Sequence, residues 1–197
     1  MPHLVVKKLR KGFKVDGSVL PAVNGVSFTI ERGEFVSIIG HSGSGKTTLL
    51  SILGGISMPE AGEVIFDGTD IYSLSSDRLS EYRCEKIGFV FQFASLLPML
   101  TAKENLLLPS GFHRQRPSAA EAEKKAEELL ALVGLSDKAG AYPSQMSGGQ
   151  QRRVAIVRAF MNGPEMVLAD EPTGDLDEET ENDVMSLFKK LNEQHRT

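Results

Sequence analysis

The sequence predicts an α/β fold with a parallel sheet and a phosphate-binding loop, on three observations. Gly40-His41-Ser42-Gly43-Ser44-Gly45-Lys46-Thr47 is a complete G-x-x-x-x-G-K-[ST] loop, set between an apolar run and a helical pattern. Glu165-Met166-Val167-Leu168-Ala169 is a second apolar run, and it delivers Asp170 and Glu171 to its carboxyl end. Residues 4 to 30 alternate with period two, the mark of antiparallel strands.

The elements follow in chain order. Val26, Phe28 and Ile30 fall on one strand face, and Ser27 and Thr29 on the other. Glu31-Arg32-Gly33-Glu34 is a turn, and Phe35-Val36-Ser37-Ile38-Ile39 reads as a central parallel strand entering the loop. A helix leaves the loop over Lys46 to Leu53 and ends near Gly54-Gly55. Gly62 to Gly68 is a short strand bounded by turns, and Ile87 to Phe91 a buried one. From there to about residue 160 the pattern is helical. Thr101-Ala102-Lys103-Glu104 and Ser118-Ala119-Ala120-Glu121 both have capping-box form, and the second opens a helix that stops at Gly134. Asp177 to about Asn192 is a last helix, acidic at its positive end and basic, through Lys189 and Lys190, at its negative end.

In the loop, glycines let successive N–H groups turn inward, so that loop and helix N-terminus form an anion cradle. Lys46 is expected on the terminal phosphates of a nucleoside triphosphate, and the Thr47 hydroxyl on Mg²⁺. The carboxylates of Asp170 and Glu171 diverge along the chain, so one can hold the metal while the other activates water; two acids capping the turn before Pro172 is the structural alternative. Met146-Ser147-Gly148-Gly149-Gln150-Gln151-Arg152 opens another helix. Ser147 and Gln150 make a capping box that alone accounts for both. It does not account for Gly148-Gly149, since glycine in a first helical turn costs about 1 kcal/mol relative to alanine. That cost suggests close backbone approach to an anion.

The chain has 197 residues, which suits one domain, and its 41% hydrophobic content supports a substantial core. A net charge of -4, with basic residues dispersed or paired with acids, argues against a nucleic-acid partner. Cys84 is the single cysteine, which excludes an internal disulfide and a C-x-x-C motif; beside Arg83 and Lys86 it is either a reactive or an incidental thiol. Residues 1 to 10 lack an apolar signal core, and Phe89 to Leu100 is too short and interrupted to span a bilayer.

On these motifs the chain resembles the nucleotide-binding domain of ABC transporters. The resemblance rests on a Walker A loop at Gly40 to Thr47, a Q-loop at Gln92, a signature motif at Ser147 to Gln150, Walker B at Met166 to Asp170 followed by Glu171, and a D-loop at Asp175-Leu176-Asp177. It implies a P-loop NTPase (RecA-like) parallel-sheet core with an antiparallel β subdomain and an inserted α-helical subdomain, the core over 1–92 and 160–197 and the helical part over about 93–159. It implies ATP and Mg²⁺ as ligands. ATP is assigned to Gly40, His41, Ser42, Gly43, Ser44, Gly45, Lys46, Thr47 and Thr48, with Phe13 as the adenine-stacking ring unless it is a strand core residue. Mg²⁺ is assigned to Thr47, Gln92 and Asp170, and catalysis to Glu171, Lys46 and Gln92. Ser147, Gly148, Gly149 and Gln150 face the ATP of a second copy, with Asp175 and Asp177 in the D-loop.

Lys86 to Gln92, Leu97 to Asn105 and Leu168 to Gly174 resemble more closely the lipoprotein-release and macrolide-export ATPases of the LolD and MacB type, and the cell-division FtsE type shares much of this. The resemblance implies an ATP-hydrolysing subunit, dimeric with ATP, at the inner face of the cell membrane through an integral permease that exports or releases a substrate. A non-transport ABC ATPase, whether a cell-division complex or a soluble scaffold or nucleic-acid factor, is the alternative. The apolar residues Phe93, Leu96, Leu97, Met99 and Leu100 around Pro98 suggest a groove for the membrane partner. Met146 departs from the leucine usual in the signature, a nearly volume-conserving change. The family's next strand and switch histidine have no counterpart before Thr197, because His195 lies at a polar helix end and His3, His41 and His113 sit elsewhere. The C-terminal part of the core is thus expected to be missing, with slow turnover of the 197-residue chain alone.

Overall fold

The computed structural model describes residues 3–15, 17–174, 178–195 and 197, without the side chains of 178–180 and 195. Two compact units divide the chain, Met1–Arg83 with Arg196–Thr197, and Cys84–His195.

In the first unit, β1 (Leu4–Val15) and β2 (Ser18–Ile30) form a long antiparallel hairpin in which Leu4 pairs with Ile30 and Phe13 with Leu20. β3 (Ala61–Phe66) joins the other side of β1, and the short β4 (Thr69–Asp70) completes a sheet of order β2-β1-β3-β4. The alternation expected along β2 holds, since Val26, Phe28 and Ile30 are half-buried while Ser27 and Thr29 are exposed. Leu4, Val6, Leu9 and Val64 are buried, as are Leu49, Leu50, Ile52 and Leu53 of α1 (Lys46–Leu53). Each such side chain, fully buried, contributes about 1.5–3 kcal/mol. α2 (Ser76–Glu81) follows, and Tyr82 donates from its buried hydroxyl to the Leu53 carbonyl at 2.8 Å.

One expectation fails here. Phe35-Val36-Ser37-Ile38-Ile39 is not a strand, and its apolar side chains are exposed, Ile39 to 93%. The reason is that an apolar, β-branched run becomes a strand only through a ladder with a neighbour. Among the described residues none pairs with 35–39, and the sheet of this unit is filled by β1 to β4.

In the second unit β5 (Ile87–Val90) and β6 (Met166–Ala169) pair in parallel, Ile87 with Met166 through Val90 with Ala169. The crossover between them carries α3 (Ala102–Leu107), α4 (Ala119–Leu132) and α5 (Gly148–Arg158), and α6 (Glu178–His195) follows β6. Both anticipated capping boxes form, Thr101 with Glu104 and Ser118 with Glu121. Leu106, Ala126, Leu130, Ile156, Val184 and Leu191 belong to one buried apolar cluster. Gly88 lets β5 run against the end of α5, because a Cβ there would stand 2.5 Å from the Ala159 carbonyl oxygen.

Candidate functional site

The phosphate loop lies in the first unit. Gly45 sits at φ 90° immediately before α1, and a Cβ there would fall 2.0 Å from the Ala22 carbonyl oxygen. No side chain caps the N-terminus of α1. The Ser44 N–H donates to the His41 carbonyl at 3.1 Å and closes the turn. Lys46 Nζ donates back to the Gly40 and His41 carbonyls at 2.9 and 3.1 Å, so its ammonium crosses the loop's own mouth. His41, Ser42, Gly43, Ser44 and Thr47 are exposed or half-buried, and Thr48 is half-buried. Phe13 is 47% exposed on β1 with Lys11 Nζ 5.7 Å from its ring centroid, so it is a surface ring and not the strand core residue of the alternative.

The carboxylates and the signature helix lie in the second unit. The Asp170 N–H donates to the Val90 carbonyl at 2.9 Å, extending the parallel ladder by one residue, and Asp170 itself is buried. Glu171 breaks the strand with φ 45°, a left-handed conformation that costs a non-glycine residue of order 1–3 kcal/mol. The turn exposes it, and its Oε2 accepts from Gln92 Nε2 at 3.1 Å. Asp170 is thus buried where Glu171 is exposed.

Arg152 holds this turn in place. Its Nε donates to the Pro172 carbonyl at 2.7 Å, and its Nη2 to that of Glu171 at 2.6 Å. Its Nη1 donates to the Phe91 and Gln92 carbonyls at 2.7 and 2.6 Å. The side chain is 4% exposed, and burial holds its pKa below the usual arginine value. Six residues further along α5, Arg158 donates to the Ser95 and Ala94 carbonyls, at 2.8 and 3.2 Å. In sequence Arg152 is a neighbour of the signature motif with no role of its own. Its one signal there is a charged residue four positions before the core residue Ile156 on an otherwise apolar helix face.

Ser147 caps α5, its Oγ accepting from Gln150 N–H at 3.3 Å while Gln150 Oε1 accepts from Ser147 N–H at 2.9 Å. A Cβ on Gly148 would meet nothing within 4 Å. Packing inside the chain therefore does not require the glycine.

The segment after Gln92 is shaped by Asn105, which is fully buried. Its Oδ1 accepts from the Leu97 N–H at 2.8 Å, and its Nδ2 donates to the Leu97, Leu100 and Thr101 carbonyls. With the backbone so held, Phe93 and Met99 are 71% and 69% exposed, whereas Leu96 packs on the apolar cluster. Cys84 is half-buried, and burial raises its pKa, which favours the incidental thiol over the reactive one.

The structure thus joins Gln92 with Glu171, and Ser147 with Gln150. Asp175 and Asp177 lie outside the described residues. Thr47 in the first unit, and Gln92 and Asp170 in the second, each carry an oxygen of the hard kind that Mg²⁺ takes, and Gln92 meets Glu171 through its amide nitrogen. No helix among the described residues is long and apolar enough to cross a membrane.

Comparison with known proteins gives the context. The sequence model of the ABC transporter family matches residues 23–174. The lipoprotein-releasing system ATP-binding protein LolD 1 of Chlorobium chlorochromatii is 45% identical over 195 residues, which cover 98% of this chain and 79% of that protein. The macrolide export ATP-binding/permease protein MacB of Rhodopirellula baltica is 44% identical over 187 residues, 95% of this chain but only 27% of that protein's length. Among solved structures, a dimeric post-hydrolysis state of the ATP-binding cassette MJ0796 bound to ADP and Pi superposes with a TM-score of 0.88 at 45% identity, covering 97% of this chain and 83% of that one. The ABC transporter ATP-binding protein MJ0796 of Methanocaldococcus jannaschii is 47% identical over 191 residues, 96% of this chain and 81% of that protein.

Proposed function

Because this chain belongs to the ABC transporter family, we propose that it is the ATP-hydrolysing subunit of a transport complex, of the lipoprotein-release or macrolide-export type, working as an ATP-dependent dimer beneath an integral membrane permease. The observation that carries the reading is the contact of Gln92 Nε2 with Glu171 Oε2. It joins the carboxylate suited to activate water with the segment that leads to the exposed apolar side chains of Phe93 and Met99.

The proposed roles follow from the chemistry of each group. The loop from Gly40 to Thr48 binds the triphosphate through its N–H groups, and Lys46 exchanges its two loop carbonyls for phosphate oxygens. Phe13 offers a ring face for adenine stacking. Thr47, Asp170 and Gln92 hold Mg²⁺, which when bound neutralises phosphate charge. Glu171 accepts the proton of the attacking water. The capped end of α5, with Gly148 and Gly149, meets the terminal phosphate held by a second copy; Asp175 and Asp177, assigned to the D-loop, lie outside the described residues. ATP then fastens the dimer and hydrolysis releases it. A lone copy turns over slowly on this scheme, since it lacks the facing α5. The exposed apolar segment after Gln92 passes dimer opening to the permease.

The test is ATP-dependent association of the Glu171→Gln variant, measured by light scattering. The amide keeps the shape but not the basicity of the carboxylate, so the variant should bind ATP and accumulate as a dimer. A variant that stays monomeric at saturating ATP rejects the scheme.

A further inference from the structure

We infer that Arg152 is a positioning residue for hydrolysis, clamping the backbone on which Gln92 and Glu171 are carried to the start of α5. The inference rests on the reading of Glu171 as the water-activating carboxylate. Three of the guanidinium's nitrogens reach four carbonyls, two before and at Gln92 and two at and after Glu171. These two stretches follow β5 and β6, whose own ladder ends with the Asp170 N–H to Val90 bond. Beyond that bond the backbones of Phe91, Gln92, Glu171 and Pro172 are joined through Arg152.

Two features make the clamp specific to this arginine. Glu171 sits at φ 45°, a conformation that reverts unless its surroundings over-determine it. Arg152 binds the carbonyls of the two successive residues Glu171 and Pro172 and so restrains that conformation. The acceptors also demand a planar fork: a lysine ammonium has three donors radiating from one point and cannot span four carbonyls on two loops. The guanidinium is buried, so its bonds are not exchanged cheaply for water. Because Arg152 sits on the first turns of α5, whose N-terminus is assigned to the ATP of a facing copy, displacement of that helix is transmitted to Gln92 and Glu171 of its own copy. Arg158 is the internal comparison, since it comes from the same helix and is held by carbonyls, but those of Ala94 and Ser95 and not of Glu171 or Pro172.

The experiment compares steady-state ATP hydrolysis and fluorescent-nucleotide binding for the full chain and for Arg152→Lys, Arg152→Gln and Arg158→Lys, each with and without Glu171→Gln. Arg152→Lys should lower kcat about tenfold or more, with KM and nucleotide affinity within twofold. It should have no further effect on the residual rate of Glu171→Gln, because a group that acts through Glu171 has nothing left to position. Arg158→Lys should keep kcat within twofold. Retention of kcat by Arg152→Lys, equal loss of kcat and nucleotide affinity, or an additive loss on the Glu171→Gln background would each overturn the inference. So would failure of both Arg152 variants to fold while Arg158→Lys folds, which assigns Arg152 to the core. If Glu171→Gln alone leaves turnover intact, it is the reading of Glu171 that falls.

Discussion

Gln92 Nε2 and Glu171 Oε2 stand 3.1 Å apart, a hydrogen bond between residues 79 positions distant in the chain that depends on the parallel pairing of β5 with β6. The pairing sets Val90 beside Ala169, and two residues past each strand the side chains meet. Replacing Gln92 by Glu sets a second carboxylate in that contact, where like charges repel. Gln92→Glu should therefore lower kcat at least tenfold, more than Gln92→Ala, with nucleotide affinity changed less than threefold. Parallel measurements of phosphate release and nucleotide titration decide it, and equal activity of the two variants would show that the contact is unimportant.

The phosphate loop makes a stability prediction from two glycines with different surroundings. At Gly43 (φ 78°) an added Cβ would meet nothing within 4 Å, whereas at Gly45 (φ 90°) it would collide with the Ala22 carbonyl. Gly43→Ala should cost about 1 kcal/mol, the strain of a left-handed alanine. Gly45→Ala adds displacement of backbone to that strain, and should cost more than about 2 kcal/mol and abolish nucleotide binding. Urea midpoints of the two variants separate the cases.

Much of this was legible because it is local. The alternation of β2, the bounds of α1 and three capping boxes depend on residues within a turn or two of each other, and all are present in the fold. The motif residues were legible because loop and carboxylate chemistry constrains residue types at fixed spacing. What was illegible is relational. The apolar run 35–39 has strand propensity, but strand formation is a property of a pair, and no partner is encoded within the run. Arg152 and Asn105 are polar residues whose work is to satisfy backbone carbonyls tens of residues away or in an irregular loop. In sequence they look like a helix-surface charge and a helix-interior amide. Burial reveals what they do, since a buried polar group must find partners.

Acid stability follows from the capping boxes. Hydrogen bonds from the Thr101 backbone and hydroxyl hold the Glu104 carboxyl below its usual pKa, and bonds from the Ser118 hydroxyl and backbone do the same for Glu121. A depressed folded-state pKa means stability that is present above the unfolded value and lost as pH falls through the folded one. The loss therefore begins below about pH 4.5, the ordinary carboxyl value for both groups. Gln in place of each Glu keeps an acceptor for the cap but does not titrate. The double variant Glu104→Gln, Glu121→Gln should lose less stability between about pH 5 and pH 3 than the parent, as measured by thermal unfolding. An unchanged slope would mean that other carboxylates dominate acid unfolding.

The partner surface is testable apart from the chemistry. Phe93 and Met99 are the most exposed of the apolar residues over 93–100, and Asn105 holds the backbone of residues 97–101 independently of their side chains. Solvent-facing substitutions of this kind usually alter stability by no more than about 0.5 kcal/mol. Phe93→Asp and Met99→Asp should thus leave thermal unfolding and ATP binding nearly unchanged. If the segment docks an apolar helix of a permease, each new charge would have to be desolvated on binding, so co-purification with the permease should fall sharply. Leu96→Asp is the contrasting variant. Its side chain packs on the buried cluster of the second unit, so the charge should destabilise the fold and remove nucleotide and partner binding together. If the exposed pair instead behaved like Leu96, with fold and binding lost in step, the segment would be core and the permease would have to engage another surface.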